Sequence, residues 1–423
     1  MKIVTIGLIF FLSQGQTSFS QTEKVAGQIG LKFATYIDMV GKHNLDYAAE
    51  RYEVSKSEAA IEIAKVFPDP TLSIGMSQDR EGHLTTGNGL SGGLDETVDL
   101  FGKRKARIEL AKSQHELSKA LLADFFRNLE AQSSEAFLMA LKQKQLYEVK
   151  LNSYQTMKRL AEADSIRLKL GSIMEINAVQ SKLEAGSLYN ELLQAEADLR
   201  NSLIQLSQMT GSLKEDTLWI PAGSLIIKPR VFVFADLMVT ARDKRADLVA
   251  ALYNKEVAHK ALRLAQKERR MDLGLTLGIS NSTPAVNSGP STATISAGIA
   301  IPLKFSNHYK GELKQVQFQI SQSEVLYEKA ELQIRTEIMQ AMQNYQASCK
   351  QVESYDHGML ESAQSVRKGK IYSYSRGETS LLEVLNAQRT FNDIQQSYYE
   401  TLFNRAVALV ELEKAAGIWD VDF

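Results

Sequence analysis

The chain has 423 residues, long for one core, with 44% hydrophobic and 23% charged residues. That composition excludes both a disordered tail and a multi-span helical membrane protein. Lys plus Arg number 49 against 50 Asp plus Glu, a net charge of −1, so the basic surface a nucleic-acid binder needs is missing. The single cysteine, Cys349, rules out an internal disulfide framework and a thiolate zinc cluster.

Residues 1–20 read as a secretory signal peptide. Lys2 precedes an apolar run from Ile3 to Leu12, and Ser18-Phe19-Ser20 puts small residues at −3 and −1 of a cleavage point. The run is too short for a membrane-spanning helix, which needs about 20 apolar residues. Thr71 to Ser77 then alternates strictly, with Leu72, Ile74 and Met76 on one face and small or polar residues on the other. Leu90, Leu94, Val98 and Leu100 give a weaker alternating strand, interrupted by Glu96. Between these strands Gly87-x-Gly89-x-x-Gly92 satisfies a dinucleotide fingerprint, but a strand follows it where that fingerprint needs a helix, so it reads as a loop. Lys103, Arg104, Lys105 and Arg107 then stand where a strand becomes a helix, as a solvated run or one near an anionic membrane surface.

No proline occurs between Gly102 and Ile220, and none after Pro302. Proline breaks helix interiors, so both stretches can hold very long helices; one from Lys103 to Leu170 would reach about 100 Å. Gly171 ends it in a turn. Leu192, Leu199 and Leu206 then recur every seven residues, with Ala195, Ser202 and Met209 at the alternate position, a coiled-coil-like seam. A connector at 216–235 holds Pro221, Pro229 and a β-rich run from Val231 to Phe234. Leu273, Leu275, Leu277 and Ile279 begin a third alternating strand, and Ile295 to Leu303 a fourth. Gly377 marks a second helical break, and Phe391, Ile394, Tyr398 and Leu402 resume a three-and-four spacing. Alternation over about ten residues, apolar against small or polar, is the pattern of transmembrane β-strands.

The chain is written twice. Asp69 to Ser77 aligns with Asp272 to Ser280 at an offset of 203, Gly93 with Gly298 at 205, and Gly171 with Gly377 at 206. This predicts a first repeat over 21–215, an equatorial connector at 216–235, a second repeat over 236–417 and a tail at 418–423. Each repeat is a helix, a strand, a loop, a strand, a very long helix, a glycine break and a last helix. Four strands cannot close a membrane barrel, so several copies must pool them. The sequence alone leaves their number open.

This layout resembles the TolC family of outer-membrane efflux proteins over essentially the whole mature chain. The resemblance rests on Phe67-Pro68-Asp69-Pro70-Thr71-Leu72 entering the first strand and on Gly102 to Arg107 leaving the second. Lys244-Arg245-Ala246-Asp247-Leu248 is similar to the family's Arg-Pro-Asp-Leu, with Ala246 in place of proline. Leu170 to Gln180 and Arg376 to Gln388 are the most specific stretches. Within the family, the Gly-Lys-Arg motif and Ile301-Pro302-Leu303-Lys304-Phe305 with Gly311 look most like the heavy-metal branch, the CzcC- and CusC-like proteins.

The resemblance implies a mainly α fold with a β-barrel contribution: a homotrimer whose twelve strands form an outer-membrane barrel in lipid. Its helices would form a periplasmic tunnel that meets a periplasmic adaptor (a membrane fusion protein) and serves an inner-membrane RND-type pump. It implies adaptor docking at Leu170, Gly171, Ser172, Arg376, Gly377, Glu378 and Thr379. It also places pore-constricting residues at Glu383, Asn386 and Asn177, where asparagine replaces the acid of some relatives at the last two. Heavy-metal cations are the expected cargo, with drugs, dyes or peptides as the alternative. A soluble periplasmic coiled-coil interaction protein is the reading from another class. The residues show no P-loop, nucleophile elbow or metal-ligand motif. No catalytic residue, cofactor or nucleic-acid partner is expected. The six histidines show no ligand pairing; His83 and His308 lie nearest the strands.

Overall fold

A computed structural model of the chain describes residues 29–81, 84–211, 218–284, 290–303, 308–356 and 358–423. The expected signal peptide at 1–20, His83, Lys304, Phe305 and His357 lie outside the described residues. The first part of the chain runs β1 (Ile29–Lys32), α1 (Phe33–His43), α2 (Leu45–Lys65), β2 (Thr71–Glu81), β3 (Leu84–Val98), α3 (Lys103–Lys169), α4 (Glu175–Met209) and β4 (Trp219–Ala222). The second runs α5 (Phe234–Lys244), α6 (Ala246–Glu268), β5 (Leu273–Pro284), β6 (Thr292–Ala300), α7 (Lys310–Asp356), α8 (Met359–Ser375) and α9 (Leu381–Ala416). The molecule is mainly helical.

α3 is 67 residues long, about 100 Å at the helical rise. Its start is fixed by Asp99, whose carboxylate accepts from the backbone N–H of Phe101 at 3.0 Å and of Arg104 at 2.7 Å. Many of its buried positions are small (Ala106, Ala111, Ser113, Ala120, Ala131, Ser133, Ser134, Ala140), which lets neighbouring helices approach closely. α2 and α6 pack along its upper part, α4 and α9 along its lower part. The main core gathers Phe33, Tyr36, Phe137, Leu138, Leu206 and Leu402 around its middle.

Four strands form one antiparallel sheet in the order β2-β3-β5-β6. Its register explains the alternation. Leu72, Leu94, Leu277 and Ala297 form one cross-strand row, and Ile74, Gly92, Ile279 and Ile295 the next, all on one face. The large apolar residues of this face are 39–87% exposed, except Val98 and Leu273 at its lower end, which are half-buried. The opposite face interlocks small residues: Ser73 stands against Gly93, Gly75 against Ser91, and Gly278 against Ser296. A Cβ on Gly93 would come within 2.6 Å of the Ser73 hydroxyl, so these positions have no room for larger side chains on both strands. Neither β2 nor β6 has a second strand partner among the described residues.

The structure departs from the sequence expectations in four places. Gly87 to Gly92 lies within β3 and pairs with β2 and β5, so it is strand and not loop. Val231 to Val233 is not a strand, and Phe234 opens α5. Side chains hold that segment instead: the Arg230 N–H donates to the Tyr345 hydroxyl at 2.8 Å, and the Phe232 ring meets Tyr345 edge-on. The last long helix is broken once more, at Gly358, whose φ of 89° is left-handed. A two-stranded parallel ladder, β1 with β4, was not anticipated; its strands are only four residues each, too short for periodicity to reveal.

Arg245 is the most deeply buried arginine among the described residues, 1% exposed between α5 and α6. It pairs with Asp247 at 2.9 Å, with Glu337 of α7 at 2.7 Å, and donates to the Ala415 carbonyl of α9 at 3.0 Å. One side chain thus ties four helices. Ala246 occupies the first position of α6, where proline is also tolerated, so its replacement of the family's proline leaves the motif's geometry intact. Removing Arg245 leaves Asp247 with only Arg127 at 3.8 Å and takes away a donor from the Ala415 carbonyl, at a cost of about 1–3 kcal/mol. Arg245→Ala should therefore lower stability by that amount in denaturant unfolding, whereas Arg242→Ala, on the neighbouring half-turn, should change it little.

Candidate functional site at the helical turns

Both glycine breaks close with the same hydrogen-bond pair. Gly171 takes φ 68° and Gly377 φ 77°. At the first, the Ser172 N–H donates to Arg167 O at 2.8 Å and the Gly171 N–H to Leu168 O at 2.9 Å. At the second, Glu378 donates to Ser373 O and Gly377 to Tyr374 O, both at 3.0 Å. This is the helix-ending motif in which a left-handed residue satisfies the last carbonyls, and glycine adopts it without strain. No atom lies within 4 Å of a Cβ built on either glycine, so the turns project into open space.

The structure brings the two turns to one end of the molecule. Leu170, Gly171, Ser172, Arg376, Gly377 and Glu378 are exposed there, and Thr379 is half-buried. The Arg376 guanidinium lies over the Tyr372 ring, 5.0 Å from its centroid. Beneath them a small core of Met157, Ala161, Leu188, Leu381, Val384 and Leu385 joins α3, α4 and α9.

Glu383 and Asn177 occupy the same position, three residues past the cap of α9 and α4 respectively. Ser380 caps α9, its hydroxyl accepting from the Glu383 N–H at 3.4 Å. The Glu383 carboxylate pairs with Lys370 of α8, which holds it below the usual carboxylate range. Asn386 is exposed on the same helix and Asn177 is half-buried. Glu383 is therefore charged but already faces a cation of its own chain.

Sequence reasoning missed the interaction that locks the two hairpins together. Asp164, fully buried on α3, accepts from the Tyr374 hydroxyl with both oxygens at 3.1 Å. Arg167 stands 3.7 Å from the same carboxylate and 5.2 Å from the Tyr374 ring centroid. Burial, and then the Asp164 charge, push the Tyr374 phenol up to about 12. A signal was present: Ser153, Met157, Ala161 and Asp164 follow three-and-four spacing, so a carboxylate stands on an otherwise packed seam. A second buried polar group lies higher: Asn392 accepts from Ser153 at 2.6 Å and from Gln388 at 2.8 Å.

Among the described residues no group of three or more His, Cys, Asp or Glu could hold a metal ion. His115 is engaged with Ser57, Nδ1 to hydroxyl 2.8 Å. His308 sits just before α7 in a left-handed conformation, φ 46°, and Cys349 is half-buried in α7.

Tyr374→Phe should leave the buried Asp164 without its phenol donor and weaken the end of the bundle by about 1–3 kcal/mol. Hydrogen exchange would then rise in 160–171 and 371–380. Replacing both partners, Tyr374→Phe with Asp164→Leu, should recover part of that protection, since no unpaired buried charge remains.

Residues 237–418 match the family model described as outer membrane efflux protein. The cobalt-zinc-cadmium resistance protein CzcC of Cupriavidus metallidurans is 24% identical over 413 residues, covering 96% of each chain. The crystal structure of CusC superposes with a TM-score of 0.73 at 18% identity, covering 93% of both chains. That of the Campylobacter jejuni CmeC outer membrane channel gives 0.74 at 14% identity, covering 99% of this chain and 94% of CmeC. These likenesses extend over both halves of the chain, and its second part, residues 237–418, is similar to the outer membrane efflux protein family.

Proposed function

We propose that this chain is the outer-membrane channel of a tripartite efflux system, a passive trimeric conduit for heavy-metal cations. The observation that carries this is the four-stranded sheet. It exposes a face that is apolar apart from Glu96 and Asn281, and leaves both edge strands without further strand partners among the described residues. In lipid every backbone polar group must be paired, which only a closed barrel achieves. Three copies of the four strands give twelve, within the range of bacterial barrels. The apolar face has five rows from Met76 down to Leu273. At about 3.4 Å per residue they span about 27 Å along the strands, or about 20 Å of height at the usual barrel tilt, most of the apolar band of a transmembrane barrel. A soluble coiled-coil protein would have no use for such a face. No helix among the described residues is long and apolar enough to cross a membrane, which leaves spanning to the strands.

The helices then form the periplasmic tunnel, and the glycine turns its tip. The matching order of helices, strands and turns in the two parts of the chain reads as an internal duplication. In this reading Leu170, Gly171, Ser172, Arg376, Gly377, Glu378 and Thr379 receive the periplasmic adaptor of an inner-membrane RND-type pump. Glu383, Asn386 and Asn177 line the constriction. With Lys370 beside it, Glu383 contributes less net negative charge to that ring than a lone carboxylate. The Asp164–Tyr374 contact resists separation of the hairpins there. Energy comes from the pump, since the chain carries no motif for nucleotide hydrolysis. The metal assignment of the cargo rests on likeness to the cobalt-zinc-cadmium resistance protein CzcC.

A strain lacking this chain should become sensitive to cobalt, zinc, cadmium, copper or silver, and the gene should restore growth. Sensitivity only to dyes, bile salts and antibiotics would replace metals with organic cargo. For docking, Gly377→Trp adds bulk at an exposed turn and about 1–2 kcal/mol of backbone strain. Resistance should be lost while trimer and surface amounts stay unchanged; normal resistance in that variant would remove the turn from the docking surface.

A further inference from the structure

We propose that copies of this chain join head to tail through a coiled-coil seam, α2 of one copy packing antiparallel against α7 of the next. The upper helices form one row in which α2 packs on α3, α3 on α6 and α6 on α7. α2 and α7 are the two ends of that row. The sheet above it has the same order, since its edge strands are β2, which follows α2, and β6, which precedes α7. The inference rests on the trimeric reading proposed above and deepens it by naming the surfaces through which the copies meet.

Each end helix carries a second seam on the side turned away from its neighbour. On α2, Tyr47 and Ser57 reach α3 through Phe126 and His115, and Val54, Ile61 and Ala64 share that half-buried side. On the opposite side Leu45, Ala49, Tyr52, Lys56, Ala59 and Ile63 follow four-and-three spacing, all exposed. On α7, Ile320, Ser323 and Tyr327 form the more buried side, where Tyr327 meets Lys255 of α6 at 5.0 Å. Phe318, Val325, Leu332 and Met339 recur every seven residues on the other side, and Gln315, Gln322, Lys329 and Thr336 fill the alternate positions. Leu45, Tyr52, Ile63, Phe318, Val325 and Leu332 are 63–73% exposed. A heptad row of large apolar side chains is buried by packing against another helix.

The chain itself supplies the complement. α2 runs toward the sheet and α7 away from it, so the two are antiparallel when set side by side. One head-to-tail contact covers both seams, whereas a helix of another protein laid on either would leave the other bare. Cyclic symmetry rotates a copy without raising it, so residues that meet across the seam must stand at one height within a single chain. Contacts along the row fix that height. Tyr47 meets Phe126 with ring centroids 5.0 Å apart, the adjacent Arg127 stands 3.8 Å from Asp247, and Leu248 shares a cleft with Leu332. Interlocking the two rows near that level sets Ala49 against Leu332, Tyr52 against Lys329, Lys56 against Val325 and Ile63 against Phe318. In this register the small Ala49 receives the large Leu332, and the Lys329 ammonium reaches the Tyr52 ring. Lys56 keeps Glu53 of its own helix as partner. Sliding by one heptad displaces every pair by about 10 Å in height.

The full chain carrying Cys349→Ala, Ala49→Cys and Leu332→Cys is purified in detergent and oxidised with copper phenanthroline. Within one chain the two cysteines lie at opposite ends of the row, too far apart to bridge; across the seam they come within disulfide reach. Covalent dimers and trimers should form. Neither single-cysteine variant should give them, nor should Ala49→Cys with Met339→Cys, which is one heptad out of register. In the chain without added cysteines, Val325→Lys sets a second cation against Lys56 and should raise the monomer fraction about fivefold. Val325→Glu at the same place should leave assembly intact, and because Val325 is exposed in one chain neither variant should change helical content. No covalent oligomer from the matched pair, or an equal yield from the out-of-register pair, overturns the seam. Dimers from a single-cysteine variant, or equal assembly of the two Val325 variants, overturn it as well. Native mass spectrometry of the unoxidised chain counts the copies. A trimer that fails to cross-link sinks only the seam, whereas cross-linked rings of another copy number sink only the trimeric reading.

Discussion

The organisation of this protein turns on the backbone groups at the edges of its four-stranded sheet. Those edges, β2 and β6, have no further strand partner among the described residues, and the largely apolar face between them is left exposed by the described helices. In water such a sheet would pair edge to edge with other chains. In a bilayer the same groups demand closure, since no solvent can satisfy them. The opposite face is built of serine and glycine. Interlocked small side chains (Ser73 with Gly93, Gly278 with Ser296) keep bulk off that side of the sheet.

The helices solve a different problem, that of length. A 67-residue helix has little intrinsic reason to stay straight or to find a single register. Packing supplies both. Small residues set close approach to α2, α4, α6 and α9, and polar groups fix the alignment where apolar seams alone would tolerate a slip by one heptad. Arg245 does this at the middle, Ser153 with Asn392 below it, and Asp164 with Tyr374 near the turns. Buried polar contacts of this type favour one register over its neighbours because a slip leaves each group unpaired.

The middle of the molecule holds the two parts of the chain together. The tail after Gly417 folds back, so that Phe423 meets Phe33 edge-on at 4.9 Å. Arg230 in the connector bonds Asp420 in the tail at 2.7 Å and reaches Glu413 in α9. The β1–β4 ladder closes the same region. The ends of the chain and its centre thus converge where the sheet-bearing and turn-bearing portions meet.

Much of this was legible in the sequence because its signals are local. Missing prolines set the reach of α3, glycine fixed both turns through the left-handed backbone, and alternation marked all four strands, although it carried the second to Leu100 and the fourth to Leu303, beyond their ends at Val98 and Ala300. The same local rules misplaced Gly87 to Gly92, whose strand state comes from pairing on both sides, and Val231 to Val233, whose β-rich composition found no partner strand. The turn residues were visible, but Asp164 and Tyr374 were not paired on paper, since they stand 210 residues apart. Sequence by itself determined which backbone could be long, bent or alternating, because those are properties of neighbouring residues. Only the tertiary structure decided which charges are buried together and which strands share an edge, because those depend on contacts between segments far apart in the chain.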